Sequence, residues 1–281
     1  MKDSTLSVVI IAKNAESLIE DAMHSVEFAQ EILVVDGGST DKTNEVARKL
    51  HAKIITGESN SFAEQRNIGA KAAKGKWILY IDTDERVSEE LASSIKEVIS
   101  SSREQSESRS PSRHPELVSG SSSLQARTIT PVAFKIRRKN FYLGNNPWPK
   151  IEQLERLFRK DALKGWYGKL HETPKVEGQI GLLDGYLLHY THRDLESMLD
   201  KTIVWSRVEA QLRLDNNHPK IVAWRLIRVM LTGFFDSYVG QGGWKAGTMG
   251  LIESMYQSYS MFVTYATLWE MQRGKDVRGK K

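Results

Sequence analysis

Between residues 6 and 81 the chain alternates short apolar runs with segments of helical periodicity. Leu6–Ala12, Glu31–Val35, Lys53–Thr56 and Trp77–Ile81 read as buried strands. Ala15–Ala29, Asp41–Leu50 and the stretch from Ser61 to about Ala73 read as helices. Ser61 and Glu64 have the spacing of a capping box, and Gly75 ends that helix. Strands alternating with helices in this way predict a parallel sheet with crossover helices, an α/β fold. Such a sheet presents ligands to the carboxyl ends of its strands. Here those ends are Lys13-Asn14, Asp36-Gly37-Gly38 and Asp82-Thr83-Asp84.

The rest of the chain has a different texture. Residues 100–131 are rich in Ser, Arg, Glu and Pro and lack aromatic residues, so they are expected to form a disordered insertion. Val132–Ile136 resumes as a strand, followed by the basic run Arg137-Arg138-Lys139. Phe141–Tyr190, rich in Gly, Trp and Tyr, suggests short strands and loops, and Leu195–Leu214 a helix. Lys220–Phe235 and Ser254–Trp269 carry wide apolar faces bordered by Arg, with Trp and Tyr included. That pattern suits either an anionic membrane surface or a helix pair in a core or homodimer.

Composition removes several function classes. The 281 residues are 40% hydrophobic and 27% charged, ordinary for a globular chain, and contain no cysteine. A disulfide scaffold, a thiolate zinc site and a cysteine nucleophile are thereby excluded. No long uncharged apolar stretch predicts a spanning helix, so the protein is expected to stay in the cytoplasm or to lie, peripheral and without crossing, on the inner face of the cytoplasmic membrane. The net charge of +5 suits an anionic partner. Nucleic acid is not expected, because carboxylates at the sheet edge would repel its phosphates.

The chemistry-bearing residues gather at the strand ends. Asp82 and Asp84, read as continuing an extended strand, would point the same way and suit Mg²⁺ or Mn²⁺. A solvated acidic turn to which Glu85 adds is the plain alternative. Asp36 can accept hydrogen bonds from a base or ribose, while Ser39, Thr40 or Asp41 caps the next helix. Arg66, placed in the first turn of its helix, either forks onto phosphate oxygens or is an ordinary surface arginine. There is no G-x-G-x-x-G and no Walker lysine. His171-Glu172 is not a zinc-protease motif, since position 175 is Lys, but Glu172 has the chemistry of a general base.

In combination, Val-Ile-Ile-Ala-Lys-Asn (9–14), Val-Val-Asp-Gly-Gly-Ser-Thr-Asp-Lys-Thr (34–43), Gln-Arg-Asn-Ile-Gly (65–69) and Ile-Asp-Thr-Asp-Glu (81–85) resemble glycosyltransferase family 2, with its GT-A fold. Asn140-Phe141-Tyr142-Leu143-Gly144, Pro147-Trp148-Pro149, Arg156-Leu157-Phe158-Arg159, His171-Glu172 and His189-Tyr190 resemble the lipopolysaccharide core glucosyltransferase-like branch. The resemblance implies a mostly parallel GT-A sheet with a C-terminal helical extension. It places a nucleotide-sugar-binding half at 1–99, an acceptor half at 132–215 and amphipathic helices at 216–281.

By the same resemblance Ala12, Lys13 and Asn14 line the nucleotide pocket and Asp36 holds the base. Arg66 contacts the nucleotide, Asp82 the ribose and diphosphate, Asp84 with Asp82 a divalent metal, and Glu172 is the base. The family's Asn-Glu pair is Asn14-Ala15 here, with Glu16 one place later. The implied activity is inverting transfer of a hexose from a UDP-glucose-like donor to a lipopolysaccharide-core or other glycolipid or saccharide acceptor. The aromatic loop Phe141–Trp148 would offer a surface for stacking sugar. The alternatives are a non-catalytic nucleotide-sugar-binding remnant and, resting on the net charge and Arg137-Arg138-Lys139, a nucleic-acid-binding protein.

Overall fold

A computed structural model describes residues 6–57, 61–107, 130–168 and 172–278. The predicted alternation is present: β1 (Leu6–Ala12), α1 (Ile19–His24), β2 (Glu31–Asp36), α2 (Thr43–Lys49), β3 (Lys53–Thr56), α3 (Phe62–Ala72) and β4 (Trp77–Asp82). β5 (Glu85–Val87), α4 (Glu89–Glu107), β6 (Ala133–Tyr142), β7 (Asn146–Arg159), β8 (Leu163–Tyr167), β9 (Thr173–Val176) and β10 (Ile180–Tyr190) follow, then α5 (Leu195–Asp215), α6 (Ala223–Phe235) and α7 (Gly247–Arg278).

Eight strands form one sheet in the order β3-β2-β1-β4-β7-β6-β10-β5, and β8 pairs with β9 separately. β1 is parallel to both β2 and β4, and β2 to β3. β7 joins β4 antiparallel, with Trp77 opposite Arg159. This is the α/β architecture that the GT-A resemblance implied, with a helical C-terminal part. Every residue of β1 is buried, because helices cover both faces of the sheet. On one face Val8, Ile10, Ile81 and Leu79 pack with Ile19 and Met23; on the other Val9, Val35, Tyr80 and Phe158 pack with Ala63 and Trp166. Gly69 lets α3 sit against the second face: a Cβ there would lie 2.4 Å from Val9 Cγ1.

Several local expectations change. α1 is six residues, because turns flank it on both sides. Ser61 stands at the N-cap of α3, yet its side chain makes no capping bond; its carbonyl accepts the Gln65 N–H at 3.1 Å. α4 runs on to Glu107, so the Ser-rich stretch begins helical, while the greater part of the expected insertion, 108–129, lies outside the described residues. The segment 141–190 holds two long strands, β7 of 14 residues and β10 of 11, beside the short β8 and β9.

The chain divides into two compact units, one of residues 1–138 and 152–188, the other of residues 139–151 and 189–281. The second contains α5, α6 and α7 around Ala210, Val229, Tyr265 and Leu268. α6 passes directly into a π turn over Asp236–Gly240. Within this unit Tyr142 and Trp148 are buried, and Trp148 Nε1 donates to Gln241 at 3.3 Å. Phe141 stacks on Tyr190 with centroids 5.0 Å apart. Tyr142 and Trp148 therefore spend their rings on packing, while Phe141 is half-buried. No helix among the described residues is long and apolar enough to cross a membrane.

Candidate active site

The site lies in the first unit, at the carboxyl edge of the parallel strands. Ala12 is in register with Asp36 on β2, and Ile11 with Asp82 on β4. Asp36 and Asp82 thus flank β1 about 10 Å apart, two strand spacings. Ala12 and Ile11 are consecutive, so the two carboxylates leave the edge on opposite faces of the sheet.

Asp36 is held by its own loop. Its Oδ1 accepts from the Ser39 amide at 3.0 Å and the Ser39 hydroxyl at 2.5 Å, and its Oδ2 from Asn44 at 2.8 Å. Burial pushes its pKa up, but these donors outweigh burial and hold it below the usual carboxylate value. Asn14, at φ 49°, joins β1 to the same loop: its side-chain oxygen accepts from the Thr40 amide at 2.8 Å, and its own amide donates to Ser39 Oγ at 3.0 Å. Glu16 accepts the Lys42 N–H at 2.9 Å. The glutamate displaced by one position still ties this edge to the start of α2. Lys13 is exposed beside it, and Ala12 is buried.

The second carboxylate group departs from the extended geometry expected for it. β4 ends at Asp82, and Thr83-Asp84 make a turn before β5. Two contacts shape that turn: Glu85 Oε2 accepts the Asp82 N–H at 3.0 Å, and Arg86 donates to the Thr83 carbonyl at 2.8 Å. Glu85, read as part of a solvated acidic turn, is fully buried. Asp84 is half-buried.

Behind the turn, three arginines interleave with four carboxylates. Arg66 Nη2 donates to Asp82 Oδ1 at 3.0 Å, and Arg156 Nη2 to Asp82 Oδ2 at 2.9 Å. Arg156 also reaches Glu85 at 3.3 Å; Arg138 reaches Glu85 at 3.2 Å and Glu152 at 2.5 Å. Arg66 pairs in addition with Glu172. Arg66 is buried, not a surface arginine, and it lies one turn into α3 rather than in its first turn. Its guanidinium sits 4.7 Å from the Trp166 ring centroid. Asn67 fixes Trp166 by exchanging hydrogen bonds with its backbone, 2.9 Å to the carbonyl and 2.8 Å from the amide.

Burial pushes Arg66 below the ordinary guanidinium value against the pull of Asp82. Burial also depresses Arg156, but Asp82 and Glu85 outweigh it and raise that group. Both stay protonated in any physiological solution.

Sequence reasoning foresaw Arg66, Asp82 and Glu172, and these three meet. It missed Arg138, Arg156 and Glu85 as parts of the site. Arg137 and Arg138 are taken by ion pairs with Asp184, Glu85 and Glu152, so the basic run is engaged within the chain. His171 lies outside the described residues.

The donor set also bears on a divalent metal. Among the described residues no three His, Asp or Glu side chains gather as a cage, and each Asp82 oxygen receives an arginine N–H. Such a set fits only a hard cation that takes one or two carboxylates from the protein and its other ligands from phosphate and water. That is the habit of Mg²⁺.

Comparison with known proteins agrees with the motifs. Residues 7–108 match the model of glycosyl transferase family 2. An uncharacterized glycosyltransferase of Rickettsia typhi is 25% identical over 95% of this chain and 87% of its own length. A lipopolysaccharide core biosynthesis glycosyltransferase of Rhizobium meliloti, LpsC, is 25% identical over 94% of this chain and 92% of its own. Among solved structures, glucosyl-3-phosphoglycerate synthase from Mycobacterium tuberculosis, in complex with Mn²⁺, UDP and glucosyl-3-phosphoglycerate, is 28% identical. That likeness covers 29% of this chain and 34% of that one, with a TM-score of 0.27.

Proposed function

We propose that this site transfers a hexose from a nucleoside-diphosphate sugar to a lipopolysaccharide-core or related saccharide acceptor, by single displacement with inversion. The observation that carries the reading is Arg66, which joins the strand-end Asp82 to Glu172 from a distant loop. It gathers an anion-binding cation, a donor-side carboxylate and a candidate base into one cluster. The acceptor class is supported by similarity to the Rhizobium meliloti enzyme over nearly the whole chain.

On this reading Asp36 and the loop tied to Asn14 receive the nucleoside, with Ala12 and Lys13 beside them. The Arg66 guanidinium turns toward the diphosphate, a better bidentate acceptor than a single carboxylate, and Glu172 is released. Glu172 takes the proton of the acceptor hydroxyl as its oxygen bonds to the anomeric carbon. The bond to the leaving diphosphate breaks with its electron pair on the phosphate oxygen. A divalent cation, when bound, supplies charge neutralisation on that leaving group. Arg156 and Glu85 keep Asp82 and its turn in place; positioning of this kind supplies much of the rate in a displacement between two bound reactants.

The test is release of nucleoside diphosphate across UDP-, GDP- and ADP-linked sugars with Mg²⁺ or Mn²⁺. Release with one donor class, lost in Asp84→Ala and reduced about a hundredfold or more in Glu172→Gln, is expected. Binding without turnover for every donor would leave a non-catalytic nucleotide-sugar binder, and full activity of Asp84→Ala would refute the cation's place.

A further inference from the structure

In the second unit, α6 turns its most apolar stripe to solvent. Trp224, Ile227, Leu231 and Phe235 are 58, 62, 54 and 56% exposed, and their spacing puts them on one side of the helix. Only Val229 of this helix is buried. An amphipathic helix in a globular unit ordinarily does the reverse. α7 repeats the pattern with Leu251, Met255, Tyr259 and Trp269, all exposed. The two stripes meet in a groove of about 720 Å³, walled by Ile227, Leu231 and Phe234 from α6 and by Leu251, Met255 and Tyr259 from α7. The exposed apolar surface is therefore continuous across both helices, the kind of patch that marks an interaction surface.

The cations around it say what covers it. Each exposed tryptophan of this surface has a basic group against its ring: Arg228 5.5 Å and Arg225 5.8 Å from the Trp224 centroid, Lys245 5.4 Å from Trp244, and Arg273 4.8 Å from Trp269. Tryptophan with an adjacent long cationic side chain is the composition of a headgroup-level belt: the ring sits among glycerol and acyl groups while the cation reaches phosphate. Between residues 220 and 281 the sequence has nine Lys and Arg against four Asp and Glu. That segment holds a net +5, equal to the excess of the entire chain.

We propose that the joint face of α6 and α7 docks on a bilayer bearing anionic lipids, lying in its interface without crossing it. Ile227, Leu231 and Phe235 enter the acyl boundary, the groove accommodates acyl chain, and the arginines and lysine meet phosphate. The surface belongs to the second unit alone.

Flotation of the full chain with vesicles of phosphatidylcholine, and of phosphatidylcholine mixed with phosphatidylglycerol, tests it. Co-flotation with the mixed vesicles, weak with the neutral ones and falling as salt rises, is expected. Ile227→Glu and Leu231→Glu replace exposed side chains, so the fold should survive, and each should cut partitioning about tenfold or more. Arg225→Glu with Arg228→Glu should abolish the preference for phosphatidylglycerol. Absence of flotation overturns the proposal, as does flotation unchanged in the Ile227→Glu, Leu231→Glu double variant. A concentration-dependent dimer broken by that variant, with no vesicle binding, would also overturn it and assign the face to a second copy of this chain.

Discussion

Removing Arg156 is the sharpest probe of the ionic cluster. Arg156→Met keeps the length and apolar stem of the side chain and deletes its charge. The Arg156 guanidinium reaches Asp82 at 2.9 Å and Glu85 at 3.3 Å. Asp82 is about one-third exposed and keeps Arg66, so water can compensate part of its loss. Glu85 has no solvent access and keeps, among the described residues, Arg138 at 3.2 Å and the Asp82 amide at 3.0 Å. Breaking a buried pair from one side costs about 3–5 kcal/mol, and the partners left to Glu85 place this case at about 3. Lysine at 156 would restore the charge but not the fork that spans two carboxylates, recovering roughly half.

Hydrogen exchange of the β4 amides measures the local free energy of that strand. A loss of about 3 kcal/mol accelerates exchange by about a hundredfold or more. The double variant Glu85→Leu, Arg156→Met should recover most of the protection, because no charge is then stranded. The exposed pair Glu45–Lys49, 2.8 Å apart along α2, is the control: Lys49→Ala should shift protection by no more than about twofold. An Arg156→Met effect under about tenfold would refute the picture of a dry, mutually dependent cluster.

Other consequences follow from the same geometry. Asp36→Asn keeps one oxygen for Ser39 but sets an NH2 group against the Asn44 amide donor, and should cost about 1–2 kcal/mol at neutral pH, read by denaturant unfolding. The folded-state pKa of Asp36 is lowered, so its contribution is full above the unfolded value and lost as pH falls through the folded one; the variant should therefore flatten the acid limb of stability against pH. Gly69→Ala drives a methyl to 2.4 Å from Val9 and 3.3 Å from Val35, and should lower stability by about 1–3 kcal/mol with little effect on donor affinity in the folded fraction. Trp166→Leu removes the ring against Arg66 and should weaken nucleoside-diphosphate binding several-fold by calorimetry; unchanged binding would separate Trp166 from the site.

Residues 6 to 82 were legible in the sequence because their information is local. A run such as Val-Val-Ile-Ile buries the same way wherever it is placed, and alternation with helices leaves a parallel sheet as the economical solution. The order of strand ends then puts Asp36 and Asp82 at one edge, and the motifs around them carry the resemblance to glycosyltransferase family 2. Length and spacing also marked the apolar stripes of α6 and α7.

Which face those stripes take was settled only by packing. The same periodicity serves a buried helix or an exposed one, and α6 turned its stripe outward. Partnership among charges was equally invisible along the chain. Glu85 and Arg156 are 71 positions apart, and the motifs that contain them do not say that the two are paired or buried. The antiparallel docking of β7 on β4 brings Arg156 to the end of that strand, and the cost of burying Glu85 uncompensated makes the pairing obligatory. The sequence determined the strands and the edge where chemistry can occur. Tertiary structure decided which charges are dry and paired, because desolvation depends on what closes over a group and not on its neighbours in the chain.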